Sequence, residues 1–494
     1  MHQVPIAGAK SWLGRFWVLN IKSRNLMKAL LANPVILLLI LGCGVIYILL
    51  AFQLVSKHPR VGALIEKFII GLYLFMMPGV GISPFPKFHP TSLATREKTF
   101  GGALVQFVVY GVILLILSPR LKYTLKYSVE VLAVLLKSNL GLFLFLLLLS
   151  LSFAWSDTPI HTLKYSMVWL ATTLVNSYII KQFSFYEVAN LLKYVLGIIA
   201  ALSTYYSMFR PGIGINPVKN SWQGILAHPN PLASLMAFSA ILWGIEAIEN
   251  PKKRAIAAFM AFFSLYVMQM CESGGGKVQF LLGILMVLSV SFLKKLPFQW
   301  AYFFVIIFMI LSIAGFIIVT DNLEAIVVDG LGKDMTLTGR TPVWEFLFAE
   351  KIPKRPVLGY GFQGFWQPWR GADNPAANDI SGLLIMPGGW APPHSHNSFI
   401  EIILDLGYVG FFCFAISFFT ALADAVRYLT RPQPPGTPMI ESILPMLLLV
   451  FIIFPNLTEI PLVENNHNWY YYVFVVVGLS IKNSGKNLKG DIRY

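Results

Sequence analysis

Apolar runs of about 20 residues recur along almost the whole chain, and nothing else constrains its fold as strongly. A bilayer core about 30 Å thick is crossed by a helix of about that length. Candidate spans lie at 34–52, 64–82, 102–118, 139–154, 160–180, 190–208, 231–248, 255–270, 277–293, 299–319, 398–422, 440–456 and 467–481. Charged residues make up only 12% of the 494, whereas a soluble domain carries about 25%. The expected class is an all-α integral membrane protein of about twelve transmembrane helices.

The net charge of +15 does not point to nucleic acid, because the Lys and Arg residues sit in short segments beside apolar runs. There they orient the chain and meet anionic headgroups. The basic stretch 482–494 is expected in the cytoplasm. Alternation from it places Lys294, Lys295 and PKKR (251–254) inside. It places CESGGGK, the loop before the 231–248 run, WSDTP and the long segment 320–396 outside. An odd number of crossings would strand the basic first 33 residues outside, so one of the first three runs is expected not to cross. Residues 1–33, rich in Trp, Phe and Lys/Arg, read as a cytoplasmic amphipathic segment without a cleavable signal. The chain thus divides at 1–33, 34–319, 320–396, 397–481 and 482–494. Cys43, Cys271 and Cys413 lie far apart and suggest neither a disulfide framework nor a metal motif.

The segment 320–396 is too long for an inert connection. It holds TPVWEFLFAEKI, expected as a short amphipathic helix with Pro342 in its first turn, and then GYGFQGFWQPW. It runs into PPHSHNSFIEIILDLGYVG at 392–410. A helix starting near Asn397 would put Asn397, Glu401 and Asp405 on one face, with Asp405 about 12 Å along the axis. A carboxylate there needs a polar cavity or a cation. The same stripe also fits buried polar groups that hold helices together. Gly407 and Gly410 would let a neighbouring helix approach closely. His394 and His396 can hold a metal, with Asp373 or Asp379, but no third ligand is fixed by spacing.

His396–Asn397, nine residues, then Gly407 and Gly410 resemble the H-[NSQ]-x9-G-x-x-G signature of the bacterial O-antigen ligase and polysaccharide polymerase superfamily. SLSFAWSDTP, SWQGILAHPNPLASL, TGRTPVWEF, RPVLGYGFQGFW and NLTEIPLVENNHNWYYYVF occur in the order such proteins use. The likeness covers roughly residues 140 to 480. It implies a GT-C-like membrane glycosyltransferase, without metal or other cofactor, with a periplasmic active site in the bacterial inner membrane. The implied donor is an undecaprenyl-diphosphate-linked glycan, and the acceptor is a glycan or lipid-linked hydroxyl. Membrane lipids and other polysaccharide-assembly proteins complete the implied partners.

By the resemblance His396 is the base, a role its ordinary pKa also suits. Arg340, in TGRTPVW, is the candidate clamp for the diphosphate, since a guanidinium stays charged and offers forked donors. Lys277 is a second cation, although SGGGK departs from the family's S-[RK]-[TG] element. Asn397, Glu401, Asp405 and His394 are expected to orient the imidazole or grip acceptor hydroxyls. Arg210, Lys219, His228 and Glu459 are further candidate contacts, and His228 equally reads as helix-start chemistry beside Asn230 and Pro231. Trp155, Ser156 and Asp157 read as interface anchors. The GRTPVW, LGYGF and HPN boxes lean toward the exopolysaccharide-polymerase branch. A ligase that passes the glycan to lipid A–core is the alternative. A lipid-linked glycan flippase is the alternative of another class, one in which repeated halves and broken midplane helices would be expected.

Overall fold

The computed structural model describes residues 42–47, 49–50, 53–54, 57–80, 124–217, 219–328, 340–379, 382–386, 389, 391–459, 462–463 and 467–483. The N-terminal segment 1–33, the expected span at 102–118 and the tail from 484 onward lie outside them, as does Glu464. The described chain is helical: α1 (Pro59–Met76), α2 (Thr124–Ser138), α3 (Leu140–Leu151), α4 (Pro159–Gln182), α5 (Phe185–Phe209), α6 (Pro229–Glu249) and α7 (Arg254–Met270) come first. They are followed by α8 (Gly274–Leu293), α9 (Phe298–Val328), α10 (Arg340–Phe346), α11 (Ser398–Thr430), α12 (Met439–Ile453) and α13 (His467–Asn483). No strand occurs among the described residues.

Six helical stretches are long and apolar enough to cross a membrane: α5, α6, α8, the Phe298–Phe316 part of α9, α11, and α12 continued to Thr458. The chain is therefore a multi-pass membrane protein. Of the other expected spans, those at 139–154, 160–180, 255–270 and 467–481 fall on helices that are shorter or more polar, α3, α4, α7 and α13.

Apolar character decides where each helix sits. Every residue from Ile440 to Ile453 is buried, as is every one from His467 to Ser480, so α12 and α13 form the centre. A helix that is apolar all round belongs inside a larger bundle. Around them pack α5, α6, α8 and α11. Small residues allow a close crossing of α3 on α11, where a methyl on Gly141 would lie 2.3 Å from the Ser417 nitrogen. Asn139 both caps α3, accepting from the Leu142 N–H at 2.9 Å, and donates to the Ser417 carbonyl at 3.1 Å.

The bundle has two ends. At one, Glu441 accepts from the Tyr186 N–H (2.6 Å), the Tyr428 hydroxyl (2.8 Å) and Lys482, while Lys294 reaches Ser442 (3.3 Å). At the other, Trp155 donates to the Leu358 carbonyl (2.9 Å), Arg355 pairs with Asp157 (2.8 Å) and Arg340 meets Glu459. The segments that alternation assigns to opposite sides gather at opposite ends.

The helix expected across 398–422 is broken. Gly407 sits at φ 67, a conformation that only glycine adopts freely, and the chain of 356–360 docks into the gap. Tyr408 N–H donates to the Pro356 carbonyl (2.8 Å), Val409 N–H to Val357 (3.2 Å), and Tyr360 N–H to Leu404 (2.8 Å). A methyl on Gly407 would lie 2.1 Å from the Val357 oxygen. The expectation of a neighbouring helix at Gly407 is thus corrected: what approaches is the backbone of the long segment. That segment forms its own small core, with Val343, Leu347, Ile352, Tyr360, Phe365 and Leu384 packed on Ile400, Ile403 and Leu404.

Candidate active site

The site begins with the tight loop 394–397. His396 has φ 55, uncommon for a residue with a Cβ. Its neighbours hold it there. The His396 N–H donates to Nδ1 of His394 (3.1 Å), and the Ser395 N–H donates to Oε1 of Glu401 (3.0 Å). The Ser395 hydroxyl donates to the Asn397 carbonyl (2.9 Å). Asn397 caps α11, accepting from the Phe399 N–H at 2.9 Å, and its amide donates to Leu457. A second fixed point comes from α10, where the Trp344 indole donates to the Ser395 carbonyl at 2.7 Å.

Arg340 opens α10, so the same indole contact ties its helix to the histidine loop. The third partner arrives from the far end of α12. Pro455 starts a short turn, Pro455–Thr458, after which Glu459 is extended. Asn456 anchors that turn, accepting from the Ser398 hydroxyl (2.5 Å) and the Leu462 N–H (2.7 Å). Glu459 then stands between two cationic or basic groups. Its Oε1 accepts from Arg340 Nη2 at 3.2 Å, and its Oε2 lies 3.3 Å from Nδ1 of His396. Residues distant in sequence thus meet in one triad.

Burial pushes the Glu459 carboxyl up. The hydrogen bond and charge of His396, then the charges of Arg340 and His228, outweigh it and hold the group below its ordinary value. A third of the Glu459 side chain is open to the cleft, against 17% for Arg340 and for His396. His228 belongs to the same field. Burial, then Lys219 and Arg340, lower its pKa against the opposing pull of Glu459, so it is neutral at neutral pH. It also caps α6, its Nδ1 accepting from the Asn230 N–H at 3.2 Å. The cap is therefore His228, and the helix starts at Pro229, two residues before the expected Pro231.

The other expected residues divide between this cluster and its supports. Glu401 and Asp405 are buried, and they accept hydrogen bonds from the long segment. Glu401 Oε2 accepts from the Trp366 indole (2.9 Å) and Asp405 from the Gln363 N–H (2.9 Å). The carboxylates therefore bolt the segment onto the first turns of α11 rather than opening into a membrane cavity. Lys277 is exposed on the first turn of α8. The glycines before it serve packing and capping: a methyl on Gly276 would lie 2.6 Å from Cβ of Ala233, and the Gly276 N–H donates to Ser273 at 3.4 Å. Because Ala233 is one turn beyond His228, the starts of α6 and α8 are adjacent. Arg210 is exposed at the end of α5. Among the aromatics of 360–369, Tyr360 is buried and bonded to the Lys351 carbonyl (2.8 Å), while Trp369 packs on His161 at 4.8 Å.

Trp344, Trp366, Gln363 and Asn456 position the site, and the sequence carried no signal for their partners. Among the described residues, the metal-type donors that gather are His394, His396 and Glu459, without Asp373 or Asp379.

A family profile described as O-antigen ligase matches residues 259–415, the stretch from α7 through the histidine loop into α11. An exopolysaccharide production protein, ExoQ of Rhizobium meliloti (strain 1021), is 30% identical over 105 residues. That match covers 21% of this chain and 22% of the relative, so the chain spans about a fifth of that protein's length. Together these matches support a likeness to the O-antigen ligase and polymerase superfamily.

Proposed function

We propose that the protein is a glycosyltransferase that moves a glycan from undecaprenyl diphosphate to an acceptor sugar hydroxyl, acting as a surface-polysaccharide polymerase. The reaction takes place at the periplasmic face of the bacterial inner membrane, in a GT-C-like bundle of about twelve crossings, and without a metal. The observation that carries this reading is the meeting of His396, Glu459 and Arg340 at one end of the bundle.

The chemistry follows from the groups. Glu459 accepts the Nδ1 proton of His396, which presents Nε2 as the base, in the manner of other carboxylate-oriented imidazoles. Nε2 is shielded from bulk water, which guards the sugar against hydrolysis. The acceptor oxygen bonds to the anomeric carbon while the bond from that carbon to the phosphate oxygen breaks. The acceptor proton passes to His396, and undecaprenyl diphosphate leaves with its charge against Arg340. Lys277, Arg210 and Lys219 add positive field along the path of the diphosphate. Glu401, Asp405 and Asn397 act by holding the loop and α11, and His394 and His228 line the acceptor side.

The relative's name, an exopolysaccharide production protein, favours the polymerase. The profile's description keeps the ligase as a second reading, with lipid A–core as acceptor. Cells that carry His396→Ala or Arg340→Ala at native expression separate these. Transfer should fall by about 10²- to 10⁴-fold for the base, and Arg340→Lys should retain more activity than Arg340→Ala because charge survives without the fork. Single repeat units left on the carrier identify a polymerase, and long carrier-bound chains a ligase. Normal surface glycan from either alanine variant overturns the proposal.

A further inference from the structure

We infer that His394, His396 and Glu459 form an inhibitory binding site for a zinc-class divalent ion, distinct in purpose from the glycosyl-transfer chemistry that the same groups perform. The donor atoms of the three side chains lie within 4.8 Å of one another. Two imidazoles and one carboxylate are a donor set that zinc accepts, with a fourth position left for water. Nδ1 of His396 and Oε2 of Glu459 stand 3.3 Å apart. Two ligands on a tetrahedral ion with bonds of about 2.0–2.1 Å have about that separation. His394 completes the set: its ring lies against that of His396, centroids 4.0 Å apart.

The surroundings suit a ligand set rather than a chance cluster. The left-handed turn at His396, φ 55, brings the alternating histidines to one side of the loop. Glu401, through the Ser395 N–H, and Trp344, through the Ser395 carbonyl, fix that turn from opposite directions. Arg340 holds the other oxygen of Glu459 at 3.2 Å, the kind of outer hydrogen bond that orients a ligating carboxylate. Its charge also opposes the ion, so the site binds reversibly and more weakly than a structural zinc centre.

Occupancy has a chemical consequence, which rests on the transfer reading above. A metal on Nδ1 of His396 leaves the imidazole proton on Nε2, the nitrogen that must accept the acceptor's proton. The ion also takes Oε2 of Glu459 from the imidazole. The base is then silenced without any change of fold.

The test uses the full-length protein in detergent micelles or nanodiscs. Zinc chloride is titrated against a chromophoric zinc indicator, and cobalt(II) is added separately as a spectroscopic probe. One ion per chain is expected, with cobalt absorption of the intensity that four- or five-coordinate N/O sites give. His394→Ala, His396→Ala and Glu459→Gln should each weaken binding by about tenfold or more. His161→Ala, which removes an imidazole at the same end of the bundle but outside the cluster, should leave binding unchanged. Zinc should block glycosyl transfer by the wild type, and a chelator should restore it. Six-coordinate cobalt spectra in the wild type, or zinc affinity indifferent to all three substitutions, overturns the site. Ion binding is read without any substrate, so a chain that binds zinc but transfers no glycan would refute the proposed reaction and leave the metal site standing.

Discussion

Glu459 shows how one carboxylate can set the state of its neighbours. It bonds Arg340 and His396 at once, and its pKa is held down by them in spite of burial. A depressed carboxyl contributes stability that is present above its ordinary value, near 4.5, and is lost as the pH falls through its folded value. Glu459→Gln removes that charge at every pH. Thermal melts of the two proteins should therefore differ most near pH 7 and draw together as the buffer is taken below pH 4.5. A gap that stays constant over that range would show that the carboxylate is not titrating against its partners. The partly open side chain keeps the effect modest, since exposed pairs are screened. His228 behaves in the opposite sense: burial and two cations keep it neutral, so it adds hydrogen-bonding capacity to the site without further charge.

At the scale of elements, the break in α11 builds the site. A straight helix would carry Asp405 some way into the apolar layer; the Gly407 kink instead lets 356–363 lie across the helix and satisfy the carboxylate from above. The same docking places Trp366 on Glu401, and Glu401 on the loop that bears His396. Gly407→Ala should therefore do more than cost the roughly 1–3 kcal/mol of a left-handed residue with a side chain. The added methyl meets the Val357 carbonyl, so the segment must lift. We expect faster protease cleavage within 350–366 and a lower melting temperature, together with lost transfer. Wild-type cleavage rates in the variant would mean that the docking is not held by this glycine.

For the molecule as a whole, the partition of polar clusters between two ends makes the proposed sidedness testable. Lys219 and Lys252 are exposed at opposite ends of the bundle. In a background in which Cys43, Cys271 and Cys413 are replaced, Lys219→Cys should react with a membrane-impermeant maleimide from the periplasm. Lys252→Cys should react only after the membrane is opened. Equal labelling of both in intact cells would invert or abolish the proposed orientation. The apolar faces of α7, α8 and α9 that remain exposed, with Phe259, Phe262, Leu288 and Leu311 among them, are what lipid would cover.

The sequence by itself determined the class of the protein. Long apolar runs admit only helices in a bilayer, because each backbone group must be paired within its own segment. It also offered His396 and Arg340 as candidates, His396 through its residue type and both through the resemblance, since residue type alone left Arg340 equally readable as a surface arginine. Helix starts were legible where a cap followed local rules, as at Asn397, and were misplaced by two residues where His228 capped instead. Glu459 was a candidate contact whose partners the sequence could not name, and Trp344, Trp366 and Gln363 had no visible partners. Only the tertiary structure decided that a carboxylate after α12 stands between an arginine at the start of α10 and a histidine before α11. It also decided that Gly407 receives a loop rather than a helix. The reason is range: caps and periodicity arise from neighbours a few residues apart, whereas Arg340 and Glu459 are 119 residues apart and meet only when the whole bundle has packed.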